Sequence, residues 1–497
     1  MKKLLAVEQT RRDYYADAQR NTIHRSSLLV PVLPNSEVSI SFLNHFLIKR
    51  KNPNVGCRIT AIGELGKRIV SRLIPIDEPR VYTIRLQGEF CPAASSFVVE
   101  FFSSSNLFIP FPAVMINHRC KDSYSTVHSF NRVLNDVFED DEINAVQVQE
   151  SGIDVALAKD VSTFFVLAAG NQDLRGNATV QFISPDISLH HSVDIQVPRL
   201  SQQLFVLDDI VPNWPKSRGT VLIEQPRQQQ FYGRMFVGQI SRSGAFVGNH
   251  SYYDNSHVEG EYWDDATTSM RTYPFLPGID SIVRIYPTQS PSSISFSIRF
   301  NSSDGINIGS TKDFILVSPG TDFLDLNIRQ LWRECPSTVV DATSFSVIAQ
   351  PTNGNTPTRL NHQLVYTTSG IEASINISLQ NFHVIHSADK PRTTWGQLIH
   401  SSSYESWLAI ANDGHDDPAS TVAIKFFSDK GLITAISFTI PRDSAKHINL
   451  ADILPSDDKI FDDEFVWYEF ESSNYFLSAY SVSRHLVSGN CTGEHSF

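Results

Sequence analysis

A proline that closes an apolar run recurs along this chain at a nearly constant interval. Pro75 follows Arg72-Leu73-Ile74, Pro198 follows Ile195-Gln196-Val197, Pro319 follows Leu316-Val317-Ser318 and Pro441 follows Phe438-Thr439-Ile440, at steps of 123, 121 and 122 residues. A fixed period of that kind means one unit of structure written several times, and it constrains the fold before any local signal is weighed. Beyond the last three prolines stand Ile210, Leu331 and Ile453, each at the same distance; the first copy has Gln87 there. A longer match supports the ladder. Phe97 to Ile109 returns as Phe465 to Leu477, and the two run on to His128-Ser129-Phe130 and His495-Ser496-Phe497. Fainter middle copies start at Val221 and Phe345; the second reaches His250-Ser251-Tyr252, and the third ends in Ile377-Ser378 without the histidine.

Inside each copy the texture is β. Val38 to Phe42, Cys57 to Ile62, Arg68 to Ile74 and Val81 to Leu86 alternate between Gly, Pro and Asn punctuation, the pattern of antiparallel strands with one wet face. Later copies turn at Asp304-Gly305 and Asp429-Lys430-Gly431, which supply the positive φ of a tight hairpin. The ladder prolines are expected where a strand has just ended, at no cost in ladder hydrogen bonds. The expected fold is all-β: four tandem antiparallel β-sandwich repeats of about seven strands each. The expected boundaries are 25–131, 143–254, 270–385 and 395–497, preceded by a short helical arm over residues 1–24 with Leu4, Val7, Arg11, Tyr14, Tyr15 and Ala18 near helical spacing. At the level of architecture alone this resembles immunoglobulin-like or fibronectin-like tandem sandwiches. A Cys-Trp-Cys core is missing.

Four units of this size suit a 497-residue chain. A formal net charge of −12 argues against nucleic acid as the main partner. The five cysteines show no Cys-x-x-Cys pair and read as reduced thiols; they form neither a disulfide framework nor a zinc site. No apolar run is long enough for a transmembrane segment, and Glu8 and Arg11-Arg12-Asp13 interrupt the opening apolar run before a signal peptide can form. These features set cytoplasmic as the default localisation, with the cell surface or a particle as the alternative through a dedicated export route.

The richest chemical segment is Asn249 to Asp265. Its candidate binding residues are His250, Tyr252, Tyr253, Asp254, His257, Glu259 and Trp263. His250, Asp254, His257 and Glu259 have the donor types of a metal site, and two carboxylates could act as acid and base. The competing reading makes His250 a structural residue, because a histidine repeated at the same place in several copies suits strand closure better than a unique catalytic role. Acidic loops at Asp136 to Glu142, Asp413 to Asp417 and Asp457 to Glu464 raise calcium as a second possibility, against the commoner solvated loop. Trp214, Trp263, Trp332 and Trp395 are expected at domain ends, where they could stack on a sugar or pack between domains, whereas Trp407 and Trp467 are expected in the core. The recognised hydrolase, metalloprotease and nucleotide-binding motifs are absent from the sequence. The expected role is therefore a non-catalytic protein without a cofactor, binding carbohydrate or protein and able to form a homo-oligomer through residues 1–24. The alternative is a glycan-active or metal-dependent enzyme with its site near His250, between repeats two and three.

Overall fold

The computed structural model describes the chain except residues 1–23, 104–112, 129–130, 136–148, 151–154, 171, 227–231, 234, 252–261, 265, 287–289, 319, 321, 336–340, 358–359, 368–370, 382–391, 414–418, 455–463, 475 and 497. The expected arm lies outside the described residues, apart from His24, which opens β1.

The first sandwich has strands β1 (His24–Pro31), β2 (Glu37–Leu43), β3 (Val55–Ile62), β4 (Arg68–Ile76), β5 (Val81–Arg85), β6 (Ser96–Ser103), β7 (Met115–Cys120) and β8 (Ser123–His128). They form two antiparallel sheets, one in the order β1-β6-β3-β4 and extended beyond β1 by Asn131–Asn135 and then Tyr232–Gly233, the other in the order β5-β2-β7-β8. The second has β9 (Gln149–Glu150), β10 (Val161–Ala168), β11 (Leu174–Ile183), β12 (Ser188–Val197), β13 (Gln202–Val206), β14 (Thr220–Glu224), β15 (Phe236–Ser241) and β16 (Phe246–His250), in the orders β9-β14-β11-β12 and β13-β10-β15-β16. Numbered within each sandwich, both read 1-6-3-4 over 5-2-7-8.

The third keeps that order with its fourth strand in two pieces: β17 (Ser269–Pro274), β18 (Asp280–Ile285), β19 (Ile294–Asn301), β20 (Asn307–Ser310) and β21 (Phe314–Leu316), then β22 (Leu324–Asn327), β23 (Ser344–Pro351), β24 (Asn361–Thr367) and β25 (Ala373–Ser378). The fourth repeats it again with β26 (Arg392–Ile399), β27 (Tyr404–Asn412), β28 (Ala419–Ser428), β29 (Gly431–Pro441), β30 (Ser444–Asn449), β31 (Phe465–Ser472), β32 (Leu477–His485) and β33 (Cys491–His495).

The proline ladder marks the end of the fourth strand. Pro198 follows β12 and Pro441 ends β29, while Pro75 lies inside β4, one residue before its end. Pro75 and Pro441 belong to a sheet-edge strand and Pro198 adjoins one, so the missing N–H weakens no inner ladder. The positions twelve residues on fall in one helical turn after the fifth strand: Gln87 in Leu86–Phe90, Ile210 in Leu207–Ile210, Leu331 in Ile328–Glu334 and Ile453 in Leu450–Ile453. Among the described residues no helix is long and apolar enough to cross a membrane.

Alternation fills the space between the sheets. Phe42 of one sheet meets Phe101 of the other edge to face, with ring centroids 5.1 Å apart. In the second sandwich Phe165, Leu167, Val180, Ile195 and Val221 share one buried cluster, and in the fourth Leu408, Ile410, Val422, Ile424 and Tyr468 do the same. Trp407 and Trp467 are buried as expected, and Trp214 joins the core of the second sandwich instead of presenting its ring on a loop.

The sixth strand corrects the sequence match by one residue. Ser96 and Phe465 both open that strand, so Glu100 corresponds to Glu469; each is buried opposite a third-strand cation, Arg58 at 2.7 Å and Lys425 at 2.8 Å. Matching Phe97 to Phe465 would turn every side chain to the other face.

The chain divides into two compact units: Met1–Ile183 with Ile187–Tyr253, and Ser184–Asp186 with Asp254–Phe497. In the first unit, β8 lies along β16. Ser125 Oγ donates to the Gly248 carbonyl at 2.8 Å and accepts the Gly248 N–H at 2.9 Å, and Ser123 Oγ donates to the Phe246 carbonyl at 3.1 Å. In the second unit, β25 lies along β33 and the Ile371 amide donates to Asn490 Oδ1 at 2.9 Å.

Candidate functional site

The recurring histidine closes a hairpin. His250 ends β16, is buried, and its Nδ1–H donates to the Ser251 carbonyl at 2.8 Å. Ser251 N–H in turn donates to the Met235 carbonyl at 2.9 Å, and Ser251 Oγ accepts the Met235 amide at 2.9 Å. His495 does the same at the end of β33: its Nδ1–H donates to the Ser496 carbonyl at 2.9 Å, and the Ser496 amide donates to the Ala479 carbonyl at 3.0 Å. In the third copy Ser378 stands in place of the histidine, and the Leu379 amide still donates to the Leu360 carbonyl at 2.9 Å. The carbonyl contact places the proton on Nδ1 in both histidines. The ring of His128, which ends β8, stands edge-on to that of His250, with centroids 4.5 Å apart.

Of the other sequence candidates, Tyr252, Tyr253, Asp254, His257 and Glu259 lie outside the described residues. Trp263 pairs its backbone with Thr356 in a two-residue bridge. Of the proposed calcium loops, Asp413 and Glu464 are described, and Asp413 is fully buried instead of facing solvent.

The structure brings together two groups that the sequence reading did not single out. One is the seam between the third and fourth sandwiches. Thr272 N–H donates to Asp413 Oδ1 at 2.6 Å, Thr272 Oγ1 shares a hydrogen bond with Ser346 Oγ at 2.9 Å, and Asn301 Nδ2 donates to Ser346 Oγ at 2.9 Å. Arg299 pairs with Asp443 at 3.2 Å. Beside it Tyr273 OH meets His362 Nε2 at 2.5 Å, and Tyr366 OH donates to Tyr480 OH at 2.7 Å. Burial holds His362 far down, at about 3, so it stays neutral, and drives the Tyr273 and Tyr366 hydroxyls well above their ordinary range. The sequence signal was available only by comparing copies. Asp413 follows Asn412, which faces Ser444, at the place where the second sandwich has Gly170 after Ala169, whose amide bonds Ser201.

The other is a cleft of about 360 Å³ in the same unit, with Ile436, Phe438 and Ile448 as apolar wall and Glu405, Lys446, His447, Asn449 and Asp452 as polar lining. Lys446 Nζ sits over the Phe438 ring, 4.6 Å from its centroid. Glu405 is held by Arg484 at 2.5 Å and by Asn449 Nδ2 at 3.2 Å. Burial lowers the His447 pKa, with Asp452 opposing and Lys446 assisting, so the ring enters the cleft as a neutral hydrogen-bonding group at pH 7.

All five cysteines are free. Burial pushes the Cys120 and Cys491 thiols up to about 12, which makes them inert packing residues.

No family model and no curated protein matches the chain. Solved structures to which it is similar include a biofilm-associated protein BSP domain, at 9% identity over 97% of this chain and 93% of that one, with a TM-score of 0.14. Another is a tetra-tandem repeat in the extending region of a large adhesion protein, at 8% identity over 89% and 91%, with a TM-score of 0.10. At those scores neither likeness carries an argument about this chain.

Proposed function

We propose that this is a non-catalytic binding and structural protein, an array of four sandwich domains bounded as the sequence repeat places them, which meets protein partners, further copies of itself included, along free strand edges. One observation carries the reading. In all four sandwiches the fourth strand lies at a sheet edge, and in three of them exposed aliphatic side chains stand on it: Ile69 and Leu73 on β4, Ile315 on β21 and Leu432 on β29. A long apolar edge is a template for another strand unless charge or proline blunts it. The longest, β29, has eleven residues and no charged side chain among them. Equilibrium sedimentation of the full chain tests this. The expected result is concentration-dependent association that Ser437→Lys on β29 weakens; a chain monomeric at every concentration would remove the edge reading.

Carbohydrate is the second ligand class, favoured by the cleft beside Phe438. An aromatic and aliphatic wall faced by Lys446, Asn449 and Asp452 suits a sugar ring with its hydroxyls. Glycan-array binding that Phe438→Ala abolishes is the expected outcome. His250 makes the same carbonyl contact as His495, as the structural reading of that repeat position expects.

A further inference from the structure

The seam of the second unit buries a carboxyl for which the first unit has no counterpart. Asp413 has no exposure, its Oδ1 accepts the Thr272 amide, and its Oδ2 is buried without a hydrogen-bond partner. The groups facing it come from three elements. From β17, Arg271 favours the ionised form and Tyr273 adds a neutral hydroxyl; from the turn between β29 and β30, Asp443 opposes ionisation; from β32, Tyr480 contributes a second neutral hydroxyl. Of the two cations nearby, Arg271 keeps its charge and pulls toward ionisation without pairing directly with Asp413, and Arg299 is already committed to another carboxylate. Arg271 donates Nη1 to the Ser378 carbonyl at 2.8 Å, and Arg299 is paired with Asp443.

We propose that Asp413 is a proton-operated latch on the seam between the third and fourth sandwiches: neutral, it holds the Thr272 amide and the seam stays closed; ionised, it is a buried charge with one oxygen unmatched, and the seam opens to water. A neutral carboxyl leaves one hydroxyl without a partner, whereas a carboxylate leaves a buried charge that no direct ion pair meets and that Arg271 only partly offsets, which is the costlier state. The same physics fixes the direction with pH. Burial, outweighing the pull of Arg271 and Thr272 and aided by Asp443, raises the Asp413 pKa to about 7, against 3.8 for a solvated carboxyl. Between those values the closed seam keeps a proton that the open seam releases. The closed state therefore loses stability as pH rises, and the opening constant grows about tenfold per pH unit until it levels off above about 7.

The first unit is a control within the same chain. Gly170 occupies the equivalent place, and the apolar cluster of Leu29, Ile62, Val98, Ala168 and Leu200 fills the equivalent seam. Hydrogen exchange by mass spectrometry on the full chain, from pH 5 to 8.5 and corrected for intrinsic exchange, reads both. Protection of peptides covering β17 should fall roughly a hundredfold between pH 5 and 7 and then hold, while β1 stays flat. Equal behaviour of β17 and β1 would overturn the latch. Asp413→Asn keeps the acceptor for Thr272 and cannot ionise, so it should flatten the β17 profile; a variant that retains the wild-type slope would also overturn it. Should that variant fail to fold, the contrast within the wild-type chain still decides. The latch and the binding role fail separately, because sedimentation and glycan binding do not read the seam.

Discussion

In the first unit the seam between sandwiches holds Leu29, Ile62, Val98, Ala168 and Leu200; at the corresponding strand positions the second unit holds Thr272, Asn301, Ser346, Ala411 and Asp443. Leu29 and Thr272 each stand two residues before the proline that ends the first strand, and Val98 and Ser346 are their partners across the ladder. Leu200 and Asp443 follow Pro198-Arg199 and Pro441-Arg442, and both adopt φ +56. Side chains changed from apolar to hydrogen-bonded, yet the joint was kept. Its geometry is therefore set by backbone features common to both units. The hairpin between third and fourth strands of the odd sandwich presses a positive-φ glycine on the carbonyl of the arginine after the ladder proline: Gly66 on Arg199, Gly305 on Arg442.

Those glycines offer the largest test. A Cβ on either would run into the arginine carbonyl oxygen, and both sit at φ near +70, where an L side chain is strained. Gly66→Ala and Gly305→Ala should each cost about 3 kcal/mol or more, strain and overpacking together, by denaturant unfolding of the full chain. Gly88→Ala meets nothing within 4 Å and should be nearly neutral. Neutral changes at Gly66 and Gly305 would mean that the seams, not the hairpins, set the joint.

Exchanging seam residues comes next. Val98→Ser leaves a hydroxyl among Leu29, Ile62 and Leu200 and should cost about 2 kcal/mol. Ser346→Val removes partners from both Thr272 and Asn301, and should cost a similar amount alone. Changing Thr272, Asn301, Ser346 and Asp443 together to Leu, Ile, Val and Leu should be much milder than the sum, because the linked polar groups leave together instead of stranding one another. A cost that simply adds would show that the second seam cannot accept the chemistry of the first.

How much of this was legible in the residues depends on which force placed them. The alternating strands and the proline ladder follow from local physics, an edge strand tolerating proline and a two-residue side-chain period, and the all-β sandwich repeats were readable from them. The register of the sixth strand was not, because Phe97 and Phe465 look alike while burial of the Glu100–Arg58 and Glu469–Lys425 pairs decides the alignment. Asp413 read as part of a solvated acidic loop, since its neighbours Asp416 and Asp417 are acidic; only the packing of β17 against β27 and β30 buries it. The cleft at Phe438 was invisible because Glu405, Phe438 and Asn449 come from three different strands.

The hairpin histidines test the units at a smaller scale. His250 is buried and ties the end of β16 to Ser251, so His250→Ala should cost about 1–2 kcal/mol through lost packing and the lost Ser251 contact. His495 makes the same contact with a partly exposed side chain, and His495→Ala should cost less. Equal costs would assign the stabilisation to the carbonyl contact alone. Restored stability in His250→Asn would say the same, since a short amide can reach the carbonyl without filling the ring's volume.

The smallest effect separates the aromatic clusters beside the seams. In the first unit Phe164, Phe236 and Phe246 meet without a hydroxyl, their centroids 5.6 to 6.3 Å apart. In the second, Tyr366 OH donates to Tyr480 OH, and both rings are buried. Tyr366→Phe removes the donor and keeps the ring. Because Tyr480 then loses a buried partner, stability should fall by about 1 kcal/mol, with the melting curve otherwise unchanged in shape. A neutral result would mean that the tyrosine pair acts as the phenylalanines do, by area and ring geometry, and would confine the polar character of the second unit to the seam around Asp413 and Ser346.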